Sequence, residues 1–135
     1  MSLCIVDTSV WVQAFRAPNS VEKAEVERLI KSGQAAMVGI VATELLRGAR
    51  DRREFEALEG RLGALPFLEL SRNGWQAAGR LLFELRHQGL TVPLPDAIIA
   101  AMALEGGHEV YTLDDHFRRV PGLRLHEANP ARDEV

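Results

Sequence analysis

Four acidic residues stand where the chain changes character, and their types and places suit the binding of a cation. Asp7 closes the apolar run LCIVD and is followed by two small hydroxyl residues, Thr8 and Ser9. Glu44 lies in ATELLRGAR, a short step beyond a second apolar run. Asp96 opens the segment DAIIAAMALEGG, and Asp114 comes directly after VYTL in VYTLDDHF. Each acid has an ordinary explanation: a polar stop after a strand, a helix cap, or an exposed helix residue. Their conjunction calls for more. Carboxylates gathered at one place repel by roughly 4 kcal/mol per pair at 4 Å with an effective dielectric of 20. They must take up protons, spread apart or bind a cation. Their oxygens suit hard ions such as Mg²⁺ or Mn²⁺ better than zinc. No Cys/His set competes in the sequence, since Cys4 is the single cysteine and His87, His108, His116 and His126 are scattered.

The elements that must carry these acids alternate in type. Five apolar runs read as strands: 3–7, 35–41, 66–70, 109–113 and 123–126. Between them lie helical patterns. Ser20 can cap a helix with Val26, Leu29 and Ile30 on its apolar face, ended by Gly33. Ser71 can cap another, with Trp75, Ala78, Leu82 and Leu85 at helical spacing and Gly89 as its stop. The segment 96–107 is apolar almost all round, so it reads as a buried central helix, preceded by Pro95 and ended by Gly106 and Gly107. Strands alternating with helices imply βαβ units. The expected fold is therefore an α/β, three-layer α/β/α sandwich around a largely parallel sheet of about five strands. In such sheets ligands bind at the carboxyl ends of the strands, near a switch in strand order. The end of the first strand, the start of the buried helix and the end of the fourth strand all fall on that edge. Asp7, Asp96 and Asp114 are expected to meet there with Glu44.

Composition narrows the classes. The 135 residues suit one domain, read as 1–128, followed by a polar, frayed tail at 129–135. With 47% hydrophobic residues a proper core is expected. No run approaches the roughly 20 apolar residues of a membrane span, and the start lacks the pattern of a secretion signal. The expectation is a cytoplasmic protein. The net charge of −3 excludes a general electrostatic binder of nucleic acid. Arginines nevertheless cluster at 47, 50, 52 and 53 and again at 118 and 119. Cys4, between Leu3 and Ile5, reads as a buried strand residue rather than a reactive thiol. Trp11 and Phe15, one helical turn apart, suit core or subunit packing better than base stacking.

IVDTSVW, TELLRGAR, PLPDAIIAAMAL and YTLDDHF together resemble, in order and spacing, the PIN-domain family, and most of all its VapC toxins from bacterial toxin–antitoxin pairs. The resemblance runs from Leu3 to about Leu125 and implies a Mg²⁺-dependent endoribonuclease in which Mn²⁺ can substitute. By position it makes Asp7, Glu44, Asp96 and Asp114 the catalytic acids, with Asp7, Asp96 and Asp114 holding the metal. Thr112 matches the hydroxyl ahead of the last acid, while Thr8 and Ser9 are expected to hydrogen-bond a carboxylate or the metal's water. Two positions depart from the pattern: Met102 replaces a small residue or threonine, and His116 stands where many relatives carry a second aspartate. Of the adjacent pair, Asp114 is assigned to the metal and Asp115 to the amino end of the short helix holding Phe117, with His116 on the rim. The family also implies an RNA substrate, an antitoxin that inserts a basic side chain among the acids, and a homodimer, for which Val12, Phe15, Leu46 and Ala49 could supply a face. Arg47, Arg50 and Arg118 are the candidate phosphate contacts.

Three other readings compete. A nucleophilic Thr8 or Ser9 would need a histidine partner, yet no histidine is linked to them in the sequence and no G-x-S-x-G elbow exists. A phosphoacceptor domain would need an aspartate ending the middle strand and a pocket lysine, whereas PFLEL offers only Glu69 and the lysines are Lys23 and Lys31. A catalytically silent module that only engages a protein partner would have no use for four mutually repelling acids.

Overall fold

A computed structural model describes residues 2–128, so the tail expected at 129–135 lies outside the described residues. The chain order is β1 (Cys4–Val6), α1 (Thr8–Arg16), α2 (Val21–Lys31), β2 (Ala35–Val38), α3 (Gly39–Arg47), α4 (Arg52–Gly63), β3 (Phe67–Leu68), α5 (Arg72–His87), α6 (Leu94–Gly106), β4 (Glu109–Tyr111) and β5 (Arg124–Leu125). A 3-10 turn, Asp115–Arg119, links the last two strands. The sheet order is β3-β2-β1-β4-β5, with every pairing parallel. All residues of β1 and β2 are buried. Because successive side chains point to opposite faces, both faces of the sheet centre must be covered, which is the expected sandwich. No helix among the described residues is long and apolar enough to cross a membrane.

Local chemistry sets the ends of these elements. Ser20 accepts from the Lys23 amide at 3.1 Å and Ser71 from the Gly74 amide at 2.9 Å, so both expected caps form. Gly107 adopts φ +69°, a left-handed stop that ends α6 and turns the chain into β4. Helix α6 is buried from Asp96 to Met102 and on to Ala103, in agreement with its all-round apolar sequence. It begins at Leu94, two residues ahead of Asp96, so that Pro95 falls in its first turn, where a missing N–H costs nothing.

Three expectations need correction. The strand read as 35–41 stops at Val38, and Gly39-Ile40-Val41 form the first turn of α3. β-Branched residues at a strand–helix junction fit either element, and burial of Val41 against the core decides for helix. Trp75, placed on the apolar face of α5, is 54% exposed, and Ile30 on α2 is exposed as well. Both stand at the margin of their helix's buried stripe.

Phe117 is fully buried beneath the 3-10 turn that carries the last acid of VYTLDDHF. Phe117→Ala is expected to cost about 3–5 kcal/mol in urea denaturation, loosening the turn along with the core.

Candidate active site

The strand order reverses between β1 and β4, and the candidate acids flank that switch point. Asp7 follows β1, and its amide donates to the Tyr111 carbonyl at 2.8 Å, extending the β1–β4 ladder by one rung. Its carboxylate is buried. Ser9 and Thr112 each donate their hydroxyl to Asp7 Oδ2 at 2.8 Å. Both use the same oxygen, so Oδ1 is not committed to them. Ser9 also accepts the Leu113 amide at 3.1 Å, and Thr112 accepts the Asp114 amide at 2.9 Å. Two hydroxyls thus lock the end of β1 to the chain leaving β4.

Asp96 enters from the first turn of α6, a position where the helix dipole favours negative charge. Burial, followed by the charges of Asp7 and Asp114, nevertheless pushes its carboxyl up to about 6, with His116 pulling the other way. Asp114 Oδ1 accepts the His116 amide at 3.0 Å. His116 Nδ1 lies 2.6 Å from that oxygen and 3.4 Å from Asp96 Oδ2. Neither contact has hydrogen-bond geometry, and both His116 Nδ1 and Asp96 Oδ2 are buried without a hydrogen-bond partner. Orphaned atoms of this kind are costly. A cation accepting the lone pairs of both would relieve them. Asp96, Asp114 and His116 each offer a ligand atom within 4.8 Å of the others.

Glu44 stands apart from this group on α3 and is joined to the site by Thr8, which donates to its Oε1 at 3.0 Å. Asp7 reaches the cluster through its charge on Asp96. All three hydroxyls read from the sequence therefore bind a site acid or its backbone. Of the aspartate pair, Asp114 lies in the cluster and Asp115 points outward at the amino end of the turn, as expected, but the capping hydrogen bond comes from Asp114. Asp114 is itself the cap of the 3-10 turn, whereas Asp115 is its first residue, 93% exposed at the side chain and 3.4 Å from Arg118. His116 stands on the rim, 38% exposed at the side chain, and the tight turn also folds it back over Asp114, a proximity that the sequence signals only by its two-residue spacing.

The arginines lie outside this cluster. Arg47 is exposed in the last turn of α3, Arg50 binds Glu54 at 2.9 Å, and Arg118 binds Asp115. Of the expected dimer face, Phe15 is half exposed and lines an apolar hollow of about 720 Å³ with Val26, Ile30 and Leu58. Val12 and Leu46 rest partly on the core, and Ala49 is half-buried.

Residues 4–123 match the model of the PIN domain. The chain belongs to the PIN-domain family. Its relatives place it with the VapC ribonucleases. It is 34% identical over 119 residues to "Ribonuclease VapC11" of Mycobacterium tuberculosis, covering 85% of this chain and 89% of the relative. It is 30% identical over 132 residues to "Ribonuclease VapC1" of Rickettsia felis, with coverages of 90% and 92%. Among solved structures, the DNA-bound VapBC of Salmonella typhimurium superposes with a TM-score of 0.80 at 22% identity, over 96% of this chain and all of that one. VapBC2 of Rickettsia felis, bound to a promoter DNA fragment, gives 0.74 at 25% identity, over 92% and 97%. This PIN domain therefore has the fold of toxin chains solved within toxin–antitoxin complexes.

The raised carboxyl of Asp96 sets a pH dependence. A folded-state pKa of about 6 lies above the ordinary 3.8, so the associated stability is complete below the ordinary value and is lost as pH rises through about 6. Metal-free protein is expected to weaken between about pH 4 and 6. Asp96→Asn should abolish that decline and leave metal-free protein more stable than wild type at pH 7, measured by urea denaturation in chelator.

Proposed function

We propose that this PIN domain is the toxin of a toxin–antitoxin pair, an endoribonuclease that hydrolyses RNA phosphodiester bonds with Mg²⁺, or Mn²⁺ in its place. The observation that carries this reading is the meeting of Asp7, Asp96 and Asp114 at the switch point with buried donor atoms left unpaired. The VapC relatives, named ribonucleases, supply the reaction class.

Asp7, Asp96 and Asp114 would hold the ion, with His116 Nδ1 as an adjoining nitrogen donor. When bound, the ion supplies a water of lowered pKa and positive charge beside the scissile phosphate. The chain's own residues do the rest. Ser9 and Thr112 fix the Asp7 carboxylate in one rotamer, leaving its second oxygen to face the ion. Thr8 holds Glu44 at the edge of the site, where its carboxylate can accept a proton from the attacking water. The first turn of α6 keeps the Asp96 carboxylate facing inward. Arg47, Arg50 and Arg118 are proposed phosphate contacts on the surrounding surface, Arg50 and Arg118 after release from Glu54 and Asp115. No histidine or serine is required as a nucleophile, so the products are 5′-phosphate and 3′-hydroxyl ends.

An antitoxin partner is supported by the complexes in which related chains were solved. A basic side chain entering among Asp7, Asp96 and Asp114 would gain charge-assisted hydrogen bonds and take the cation's place. A homodimer using the face around Phe15 and Leu46 and a cytoplasmic site of action belong to the same reading.

Purified protein incubated with total cellular RNA in Mg²⁺ or Mn²⁺ is expected to give discrete new 5′-phosphate ends, lost with chelator and in the Asp96→Asn variant. Full activity in that variant, or cuts unaffected by chelator, would refute the proposal. Thr112→Val should keep the fold but weaken Mn²⁺ binding by about 10–100-fold, read by titration calorimetry.

A further inference from the structure

A second cluster, which the reaction does not use, lies where the amino ends of β1 and β4 meet the residue that follows β5. Cys4 begins β1 and Glu109 begins β4, and the two are register partners. His126 follows β5, and its amide bonds the Val110 carbonyl at 2.8 Å. The Cys4 thiol, a Glu109 oxygen and a His126 ring nitrogen lie within 4.8 Å of one another. One of the histidines scattered in the sequence is thus brought beside the single cysteine by the fold.

We propose that Cys4, Glu109 and His126 form a binding site for a borderline-soft divalent transition ion of the zinc type, separate from the catalytic acids. The arrangement of His126 carries the inference. Its Nδ1 faces Glu109 Oε1 at 2.9 Å, while its Nε2 faces Glu25 Oε2 at 2.5 Å. Neutral imidazole can donate to only one of them. Donation from Nε2 to Glu25 leaves the Nδ1 lone pair against a carboxylate, a repulsive contact that a cation removes. A carboxylate behind a metal-binding histidine is the usual means of fixing its tautomer and orientation. Glu25 is itself buried and held by two 2.8 Å bonds from Arg28, which, with the bond to His126, keep its carboxyl down at about 2.

A second observation points into the same space. Tyr111 is 4% exposed and its hydroxyl has no hydrogen-bond partner. Two residues beyond Glu109, it shares that residue's face of the sheet and packs edge-on to the His126 ring at 5.3 Å, and burial, followed by the charges of Glu22, Glu25 and Cys4, pushes its hydroxyl up to about 12. A hydrated ion here would give the hydroxyl a partner. Zn–S and Zn–N bonds of about 2.3 and 2.0 Å need ligand atoms somewhat closer than 4.8 Å, within reach of side-chain rotation. A hollow of about 490 Å³ lined by Cys4, Arg28, Glu109, Arg124 and His126 gives the ion access.

Without the ion, the thiol stays protonated, its pKa pushed up to about 12 by burial and then by Glu109. With the ion, the thiol proton passes to solvent and the sulfur lone pair goes to the metal, while His126 offers its Nδ1 lone pair and keeps its Nε2 proton on Glu25.

Cobalt(II) titration of the full chain tests this directly. Cys4 is the single cysteine, so any thiolate-to-cobalt charge-transfer absorption in the near ultraviolet belongs to it. The expected result is such a band saturating at one equivalent, with the visible bands of four-coordinate cobalt, displaced by zinc and retained in Asp96→Asn. Cys4→Ser should abolish the charge transfer, and His126→Gln and Glu109→Gln should each weaken cobalt binding at least tenfold. Absence of the charge-transfer band in wild-type protein, or its persistence in Cys4→Ser, overturns the proposal. If Cys4→Ser does not fold, as judged by circular dichroism, unchanged cobalt affinity in both other variants overturns it equally.

Discussion

The Asp7 carboxylate has to be kept out of water, close to other acids, and in one orientation, and much of the architecture follows from that constraint. A lone buried carboxylate would protonate or swing away. Two hydroxyls on one of its oxygens prevent the second outcome, and they come from opposite ends of the chain. Ser9 belongs to the first turn of α1, and Thr112 to the exit from β4. The Thr112 bond can form only if β1 and β4 are neighbours, which is also what places the switch in strand order beneath the site. The same two hydroxyls accept the amides of Leu113 and Asp114, so the turn carrying the last acid is fixed by the first.

The remaining acids are placed by quite different means. Asp96 is positioned by a helix that the core encloses on all sides, so its carboxylate has little freedom to move outward. Asp114 is held by its own local turn, in which its side chain takes an amide two residues on. Glu44 depends on a single hydroxyl. The site thus ranges from a rigid centre at Asp7 and Asp96 to a more adjustable rim at Glu44. That gradient suits the proposed reaction, in which an ion would stay put while a bulky polynucleotide enters and leaves.

Much of this was legible in the sequence because the signals were strong and local. A nearly continuous apolar helix, serine caps at Ser20 and Ser71, and acids just beyond apolar runs each reflect one dominant physical cause. Where two causes compete, the sequence is silent. Gly39-Ile40-Val41 suits strand and helix alike, and only packing decides. Helix α4 is highly charged and buries little beyond Leu62, so its apolar period is faint. Which aspartate caps the turn, and how closely His116 approaches Asp114, depend on the direction taken by a tight turn, which spacing alone does not specify. The pairing of His126 with Glu25, 101 residues earlier, is wholly a product of tertiary packing.

The bond from Thr112 to Asp7 joins residues 105 positions apart, and this bears on synthesis. A ribosome releases β1 long before β4, so during most of translation Asp7 has neither its locking hydroxyl from Thr112 nor its neighbours Asp96 and Asp114. The partly made chain holds the first acid and no site. Competence arrives late and all together, when the final quarter of the polypeptide slides its strand in beside the first.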